Sequence, residues 1–309
     1  MAPSADRVRD PLFDDLGLAS FKLASAAVRT LPRTLTDSSA AWLGLLFSQG
    51  MRHRRVIVER NLRRALGPRV GRFELWLLVQ AAFDSYTRYW VESFRLPSLT
   101  DAEIDAGQYT VGYDTHVLDG LAAGNGVILA LPHLGGWEWA GRWLAQRNHR
   151  LTVVVEPIEP PELFEWFVSW RRSLGMEVVP LGPQAGSAVL KALRANEIVC
   201  LLCDRDLQGG GVEVEFFGER TTLPAGPATL ALRTGAALLP TAVYFTGTRD
   251  GHFGSTGPPI LFERTKSLRN DVAALTQELA HRLEALIRRS PEQWHLFQPN
   301  WPSDPGYRR

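Results

Sequence analysis

Val127-Ile128-Leu129-Ala130-Leu131-Pro132-His133-Leu134-Gly135-Gly136-Trp137-Glu138 reads as a buried strand that breaks at a proline, turns through a histidine and two glycines, and opens a helix on an acid. Five consecutive apolar residues between a glycine and a proline have the length and texture of a strand covered on both faces, as in a parallel sheet. The same alternation continues outward along the chain. A helix is expected over 138–147, a strand over 151–155, a helix over 163–173, and buried runs over 177–179, 198–203 and 236–245. A long helix is expected over 271–289, with Leu275, Leu279, Leu283 and Ile287 on one face. The fold class this predicts is α/β, a mixed central sheet flanked by helices on both faces, with residues 253–262 as an edge strand.

Upstream of this region the texture is helical. Over 56–95, Leu62, Leu66, Phe73, Leu77, Leu78, Ala81, Phe83 and Trp90 recur at helical spacing, interrupted at Gly67-Pro68. The division expected is a helical N-terminal region over 1–98 and an α/β core over 99–309, together one compact unit. Within the first fifty residues Leu12, Phe13, Leu16, Leu18, Phe21, Leu23, Val28, Leu31, Trp42, Leu43, Leu45, Leu46 and Phe47 form two apolar segments flanked by Arg29, Arg33, Arg52, Arg54 and Arg55. That combination suits membrane-surface helices, with arginines near lipid phosphates. It equally suits a helical pair packed on the protein's own core.

Composition excludes several classes. The 309 residues are 45% apolar and carry 34 Lys+Arg against 33 Asp+Glu, so no global field favours nucleic acid. The longest apolar runs fall short of the roughly 18 to 20 residues of a spanning helix, and no signal peptide is visible, so a protein that stays in the cytoplasm is expected. Cys200 and Cys203 share one apolar run and lack a second ligand pair, so the reading is packing and no metal. Gly209-Gly210-Gly211 lacks the lysine and hydroxyl residue of a phosphate-binding loop. No serine stands in a G-x-S-x-G elbow, which argues against an α/β hydrolase.

The chemistry centres on His133. Strand ends of α/β sheets are where ligands bind, and an imidazole there can take the proton of a hydroxyl that is otherwise a poor nucleophile. Such a base needs a carboxylate on its far nitrogen to fix the tautomer and stabilise the imidazolium. Glu138 supplies one within the motif. The next buried run ends in Asp204-Arg205-Asp206, at what should be the same sheet edge, so Asp204 or Asp206 could serve instead, or could hold Arg205 for a phosphate. Gly135 and Gly136, at a helix start, are candidate oxyanion donors.

Taken together, these segments resemble the lysophospholipid-type acyltransferases that include the bacterial lipid A late acyltransferases. The resemblance rests on His133-Leu-Gly-Gly-Trp-Glu138, Asp204-Arg-Asp206, residues 214–219, Ala231-Leu232-Arg233-Thr234-Gly235 and Ser290-Pro291-Glu292-Gln293-Trp294. Where the lipid A enzymes follow the last motif with a histidine-arginine-rich stretch, this chain reads Trp294-His295-Leu296-Phe297-Gln298-Pro299-Asn300-Trp301. That departure is similar to the actinobacterial phosphatidylinositol mannoside acyltransferases.

The resemblance implies transfer of palmitoyl from palmitoyl-CoA, a co-substrate with no further cofactor, to a mannose hydroxyl of a mannosylated phosphatidylinositol. It further implies a peripheral enzyme on the cytoplasmic face of the plasma membrane. His133 maps to the family's base, with Glu138 or Asp204 as its partner. A different glycolipid acceptor, and a non-catalytic lipid carrier, are the alternatives.

For phosphate contacts the candidates are Arg171 and Arg172, after the aromatic helical stretch Phe164, Trp166, Phe167 and Trp170, together with Arg205 and Arg233, with Asp206 in the same substrate site to hold Arg205. For the sugar they are His295, Gln298 and Trp301. Walls of an acyl groove are expected from the first fifty residues and from 231–239.

Overall fold

The computed structural model describes residues 18–30, 44, 48–207, 209–248 and 250–307. The first helix, α1, spans Leu18–Thr30, and the expected break at Gly67-Pro68 separates α2 (Arg52–Leu66) from α3 (Arg72–Arg95). Beyond them follow α4 (Asp101–Gly107), β1 (Gln108–Val111), α5 (Leu118–Ala122), β2 (Val127–Leu131), α6 (Trp137–Ala145), β3 (Leu151–Val155), α7 (Pro161–Ser173) and β4 (Met176–Pro180). The chain continues through α8 (Ala185–Arg194), β5 (Ile198–Leu202), β6 (Val212–Phe216), β7 (Glu219–Leu223), α9 (Gly226–Thr234), β8 (Ala237–Phe245), β9 (His252–Thr256) and α10 (Leu268–Arg288).

Seven strands form one sheet in the order β1-β9-β8-β2-β5-β3-β4. From β8 to β4 every pair is parallel, whereas β9 returns antiparallel along β8. The continuous apolar run of β2 is buried at all five positions, because helices cover both faces. One layer packs Ile128, Ala130 and Val199 against Val189, Leu193, Leu279 and Leu283, and the other packs Leu129, Val127 and Leu151 against Trp139, Trp143 and Leu163.

One expectation is corrected here. The strand over 253–262 stops at Thr256 and is not the edge, because β1 pairs parallel to it over Gln108–Val111; four residues of alternating exposure carry no continuous apolar signal. Just past Gly209-Gly210-Gly211, residues 212–223 form the β6–β7 hairpin. Its two-residue turn, Phe217-Gly218, has positive φ at both positions, 55° and 74°, the type I′ arrangement that matches strand twist. Glu284 accepts the Phe217 N–H at 2.6 Å and so secures a backbone conformation that side-chain-bearing residues disfavour.

In the helical N-terminal region, Phe21 of α1 is buried edge-on against Trp90, Phe94 and Phe167. This part of the first fifty residues therefore packs on the protein's own core, while Leu23 is 71% exposed. Leu12, Phe13, Leu16, Leu31, Arg33, Trp42, Leu43, Leu45, Leu46 and Phe47 lie outside the described residues. No helix among the described residues is long and apolar enough to cross a membrane.

Candidate active site

The register of two neighbouring strands creates the site. β2 and β5 run parallel with Leu131 opposite Leu202, and the ladder is extended by the Cys203 N–H donating to the Leu131 carbonyl at 2.8 Å. Two residues past each strand end, His133 and Asp204 therefore come side by side at the carboxyl edge of the sheet, where α/β folds bind ligands. The ring Nδ1 of His133 lies 2.6 Å from Asp204 Oδ1, and the His133 backbone N–H donates to Oδ2 at 3.0 Å.

Asp204 is completely buried, whereas the His133 side chain keeps 25% of its surface open. Burial opposes the charge on Asp204, but the facing His133 ring and the hydrogen bonds from His133 and the Trp294 indole outweigh it. The carboxyl pKa is consequently held below its ordinary value. An ionised acceptor on Nδ1 requires the proton on that nitrogen, which leaves the Nε2 lone pair as the basic site. Trp137, opening α6, stands edge-on to the imidazole at 5.8 Å between centroids.

Glu138 does not meet His133. As the second residue of α6 it turns its side chain elsewhere, and Oε1 accepts from Arg171 Nε at 3.0 Å and from the Tyr89 hydroxyl at 3.3 Å. Burial disfavours the charge on Arg171, yet Glu138 and Tyr89 overcome this and raise its pKa. The phenol of Tyr89 is pushed well up, by burial first and then by Glu138. The ion pair borders an almost wholly apolar cavity whose other walls include Leu129, Leu131, Trp137, Leu144, Val153 and Met176. Residues 231–239 contribute nothing to these walls: α9 packs against a different part of the sheet, and β8 enters the cavity only further along, at Thr241 and Val243.

The remaining sequence candidates divide sharply. Arg172 faces outward on α7 and is exposed. Arg205 is half-buried in the turn after β5, next to Asp204. Asp206 is engaged in the backbone of the glycine loop, accepting from the N–H groups of Gly209 at 3.1 Å and Gly211 at 2.8 Å. Arg233 is a correction: it is exposed at the end of α9, just before β8 begins, and Ala237 of β8 pairs with Val127 at the start of β2. It thus lies at the opposite sheet edge from His133.

Of the two glycines, Gly135 differs from expectation. Gly135 has φ +62°, a Cβ there would stand 2.0 Å from the Val243 carbonyl oxygen, and its N–H donates to the Gln293 carbonyl at 3.0 Å. It serves close backbone packing and has no N–H left for an oxyanion. Gly136, against the His252 ring, caps α6.

Trp301 is fully buried, stacked on Phe216 at 5.7 Å with its N–H on the Phe216 carbonyl, so it packs the C-terminal segment and offers no face to a sugar. His295 is buried among Tyr86, Tyr89, Trp137 and Phe245; burial, then the neighbouring His133, push its pKa down to about 3. Gln298 is half-buried. The C-terminal segment is anchored at Asp304, whose buried carboxylate accepts from Arg60, Arg64 and the N–H groups of Asn300 and Trp301.

Sequence reasoning quoted Trp294 within a motif but gave it no place in the site, and overlooked Tyr89 and Ser85. Cys200 and Cys203 are unpaired, and burial drives both thiols up, Cys200 to about 12. No group of metal-ligating side chains occurs among the described residues.

The sequence model of the family described as bacterial lipid A biosynthesis acyltransferase matches residues 17–303. The chain is similar to a phosphatidylinositol mannoside acyltransferase of Mycobacterium tuberculosis, 39% identical over 310 residues, covering 93% of this chain and 95% of the relative. A protein of the same name from Mycolicibacterium smegmatis is 44% identical over 230 residues, covering 74% and 73% of the two chains.

Proposed function

This chain belongs to the bacterial lipid A biosynthesis acyltransferase family, and from that premise we propose that it transfers a palmitoyl group from palmitoyl-CoA to a mannose hydroxyl of a phosphatidylinositol mannoside. The acceptor reading is supported by the name that its mycobacterial relatives bear. The observation that carries the mechanism is the His133–Asp204 pair at 2.6 Å, partly open on the imidazole side and closed on the carboxylate side.

In this reading the sugar hydroxyl gives its proton to His133 Nε2 as its oxygen attacks the thioester carbonyl. The tetrahedral intermediate collapses with cleavage of the C–S bond, and the imidazolium, stabilised by Asp204, returns the proton to the departing CoA sulfur. No acyl-enzyme forms, so both substrates are bound together. The apolar cavity beside Trp137 and the Glu138–Arg171 pair gives part of the acyl chain a dry site, where each buried methylene contributes roughly 0.8 kcal/mol.

Glu138 acts by holding Arg171 and α6 in place rather than by touching the base. Docking on the cytoplasmic face of the plasma membrane is supported by the corner between α2 and α3. There Phe73, 73% exposed, stacks with exposed Trp76 beside Leu77, and Arg69 and Arg72 are exposed next to them, a pairing of aromatic and basic residues suited to a bilayer interface.

The test is an assay with radiolabelled palmitoyl-CoA and mannosylated phosphatidylinositol. Labelled glycolipid is expected. Free palmitate as the sole product would make the protein a hydrolase, and no turnover in the presence of both substrates would favour a lipid carrier.

A further inference from the structure

The C-terminal segment crosses directly behind the site. The Gly135 N–H donates to the Gln293 carbonyl, the His295 N–H donates to the His133 carbonyl at 2.7 Å, and Leu134 and Trp294 form an antiparallel bridge between them. From this strap the Trp294 indole N–H donates to Asp204 Oδ2 at 2.8 Å, and Asn300 Nδ2 donates to the Asp204 carbonyl at 3.0 Å. The indole is buried, 3% exposed, and is held by the rings of Phe216, Phe217 and Trp301. A ring so enclosed gives its N–H one fixed direction.

We propose that Trp294 is a positioning residue of the acyl transfer, its indole N–H locking the Asp204 carboxylate in the rotamer that faces His133. This rests on the reading of His133 and Asp204 as base and partner. The terminal torsion of an aspartate is broad and two-fold, so Oδ1 meets the imidazole squarely only if Oδ2 is also tied. Oδ2 has two donors, the His133 backbone N–H and Trp294, and only the indole comes from outside the His133 turn.

The titratable groups facing Asp204 are His133 across the strand, Cys203 beside it and His295 on the strap. Among them the indole is a neutral donor that favours the charged carboxylate. Its removal lets Asp204 take up a proton at higher pH.

Two variants test this with palmitoyl-CoA and mannosylated phosphatidylinositol: Trp294→Phe, and benzothienylalanine incorporated at position 294, which keeps the bicyclic shape and replaces only the N–H by sulfur. In both, kcat is expected to fall by about 10- to 100-fold, the weight of one hydrogen bond to a charged group. KM for either substrate stays as in the unmodified enzyme, and the acid limb of kcat/KM moves to higher pH. Unchanged kcat in the benzothienylalanine protein, or a fall with an unmoved acid limb, overturns the proposal. His133→Ala and Asp204→Asn measured in parallel separate the two ideas. If those two keep full turnover, the base-and-partner reading is wrong; if they lose it while both Trp294 variants do not, only the role of Trp294 is wrong.

Discussion

Asp204 grips His133 twice, by Oδ1 on the ring Nδ1 and by Oδ2 on the backbone N–H of the same residue. A carboxylate that holds both the side chain and the main chain of one histidine fixes tautomer, ring orientation and turn geometry at once. It can do so because the parallel register of β2 and β5 sets the two residues at equal height above the sheet.

The first prediction concerns this pair. His133→Ala is expected to lower kcat by about 10² to 10⁴, the usual weight of a general base, with substrate binding retained. Asp204→Asn should lie in the same range, because the amide can present its NH₂ to Nδ1 and so select the wrong tautomer. Steady-state kinetics on both variants, with acyl-CoA binding followed by fluorescence, checks this; full turnover in His133→Ala would end the mechanism.

A second prediction separates the two acids that the sequence left equal. Glu138 serves Arg171 and Tyr89 and stands away from His133. Glu138→Gln should therefore reduce kcat much less than Asp204→Asn. Glu138→Ala, by contrast, leaves Arg171 buried without its counter-charge and should destabilise the fold by about 3 to 5 kcal/mol. Urea unfolding of Glu138→Ala against a Glu138→Ala, Arg171→Met double variant is the measurement: the second change should recover part of the loss.

The sheet was readable in advance because its strands are continuous apolar runs, and a run such as Val127–Leu131 has few other homes in a folded chain. The position of His133 followed from the same run. The choice between Glu138 and Asp204 did not follow, since spacing along a chain says nothing of direction: five residues beyond His133 the helix has already turned Glu138 toward α7. Trp294 was harder still. It reaches Asp204 across 90 residues of chain, a closure fixed by the anchoring of the tail through Asp304, Arg64 and Trp301, and no local pattern encodes that contact. Arg233 shows the reverse error, a conspicuous cation whose place at the far sheet edge is set by strand direction alone.

A third prediction uses the second buried acid–histidine pair. Glu92 on α3 meets His252 Nε2 at 2.8 Å and Arg88 Nε at 2.7 Å. Burial opposes its charge, but His252 and then Arg88 outweigh this and hold its pKa low. A carboxyl depressed in the folded state stabilises the protein above the unfolded value, about 4.3, and that contribution is lost as pH falls from there through the folded value. Stability should therefore decline below about pH 4.3 more steeply in the parent protein than in Glu92→Gln. Thermal unfolding followed across the acid range decides it, parallel curves for the two proteins being the contrary result.

The fourth prediction is that no covalent acyl-enzyme accumulates. Among the described residues one buried hydroxyl does touch an imidazole, Ser85 Oγ at 2.9 Å from His295 Nε2, and it sits near the site. That imidazole has no acid behind it, for the buried Nδ1 lacks a hydrogen-bond partner, and a pKa driven down to about 3 by burial makes it too weak a base to deprotonate a serine. Cys200 and Cys203, with thiols pushed far up, have a negligible thiolate fraction at neutral pH. Mixing the enzyme with palmitoyl-CoA alone should thus leave its intact mass unchanged, and initial rates should follow sequential kinetics. An acyl adduct that disappears in Ser85→Ala would instead assign the first step to Ser85 and reduce His133 to the second.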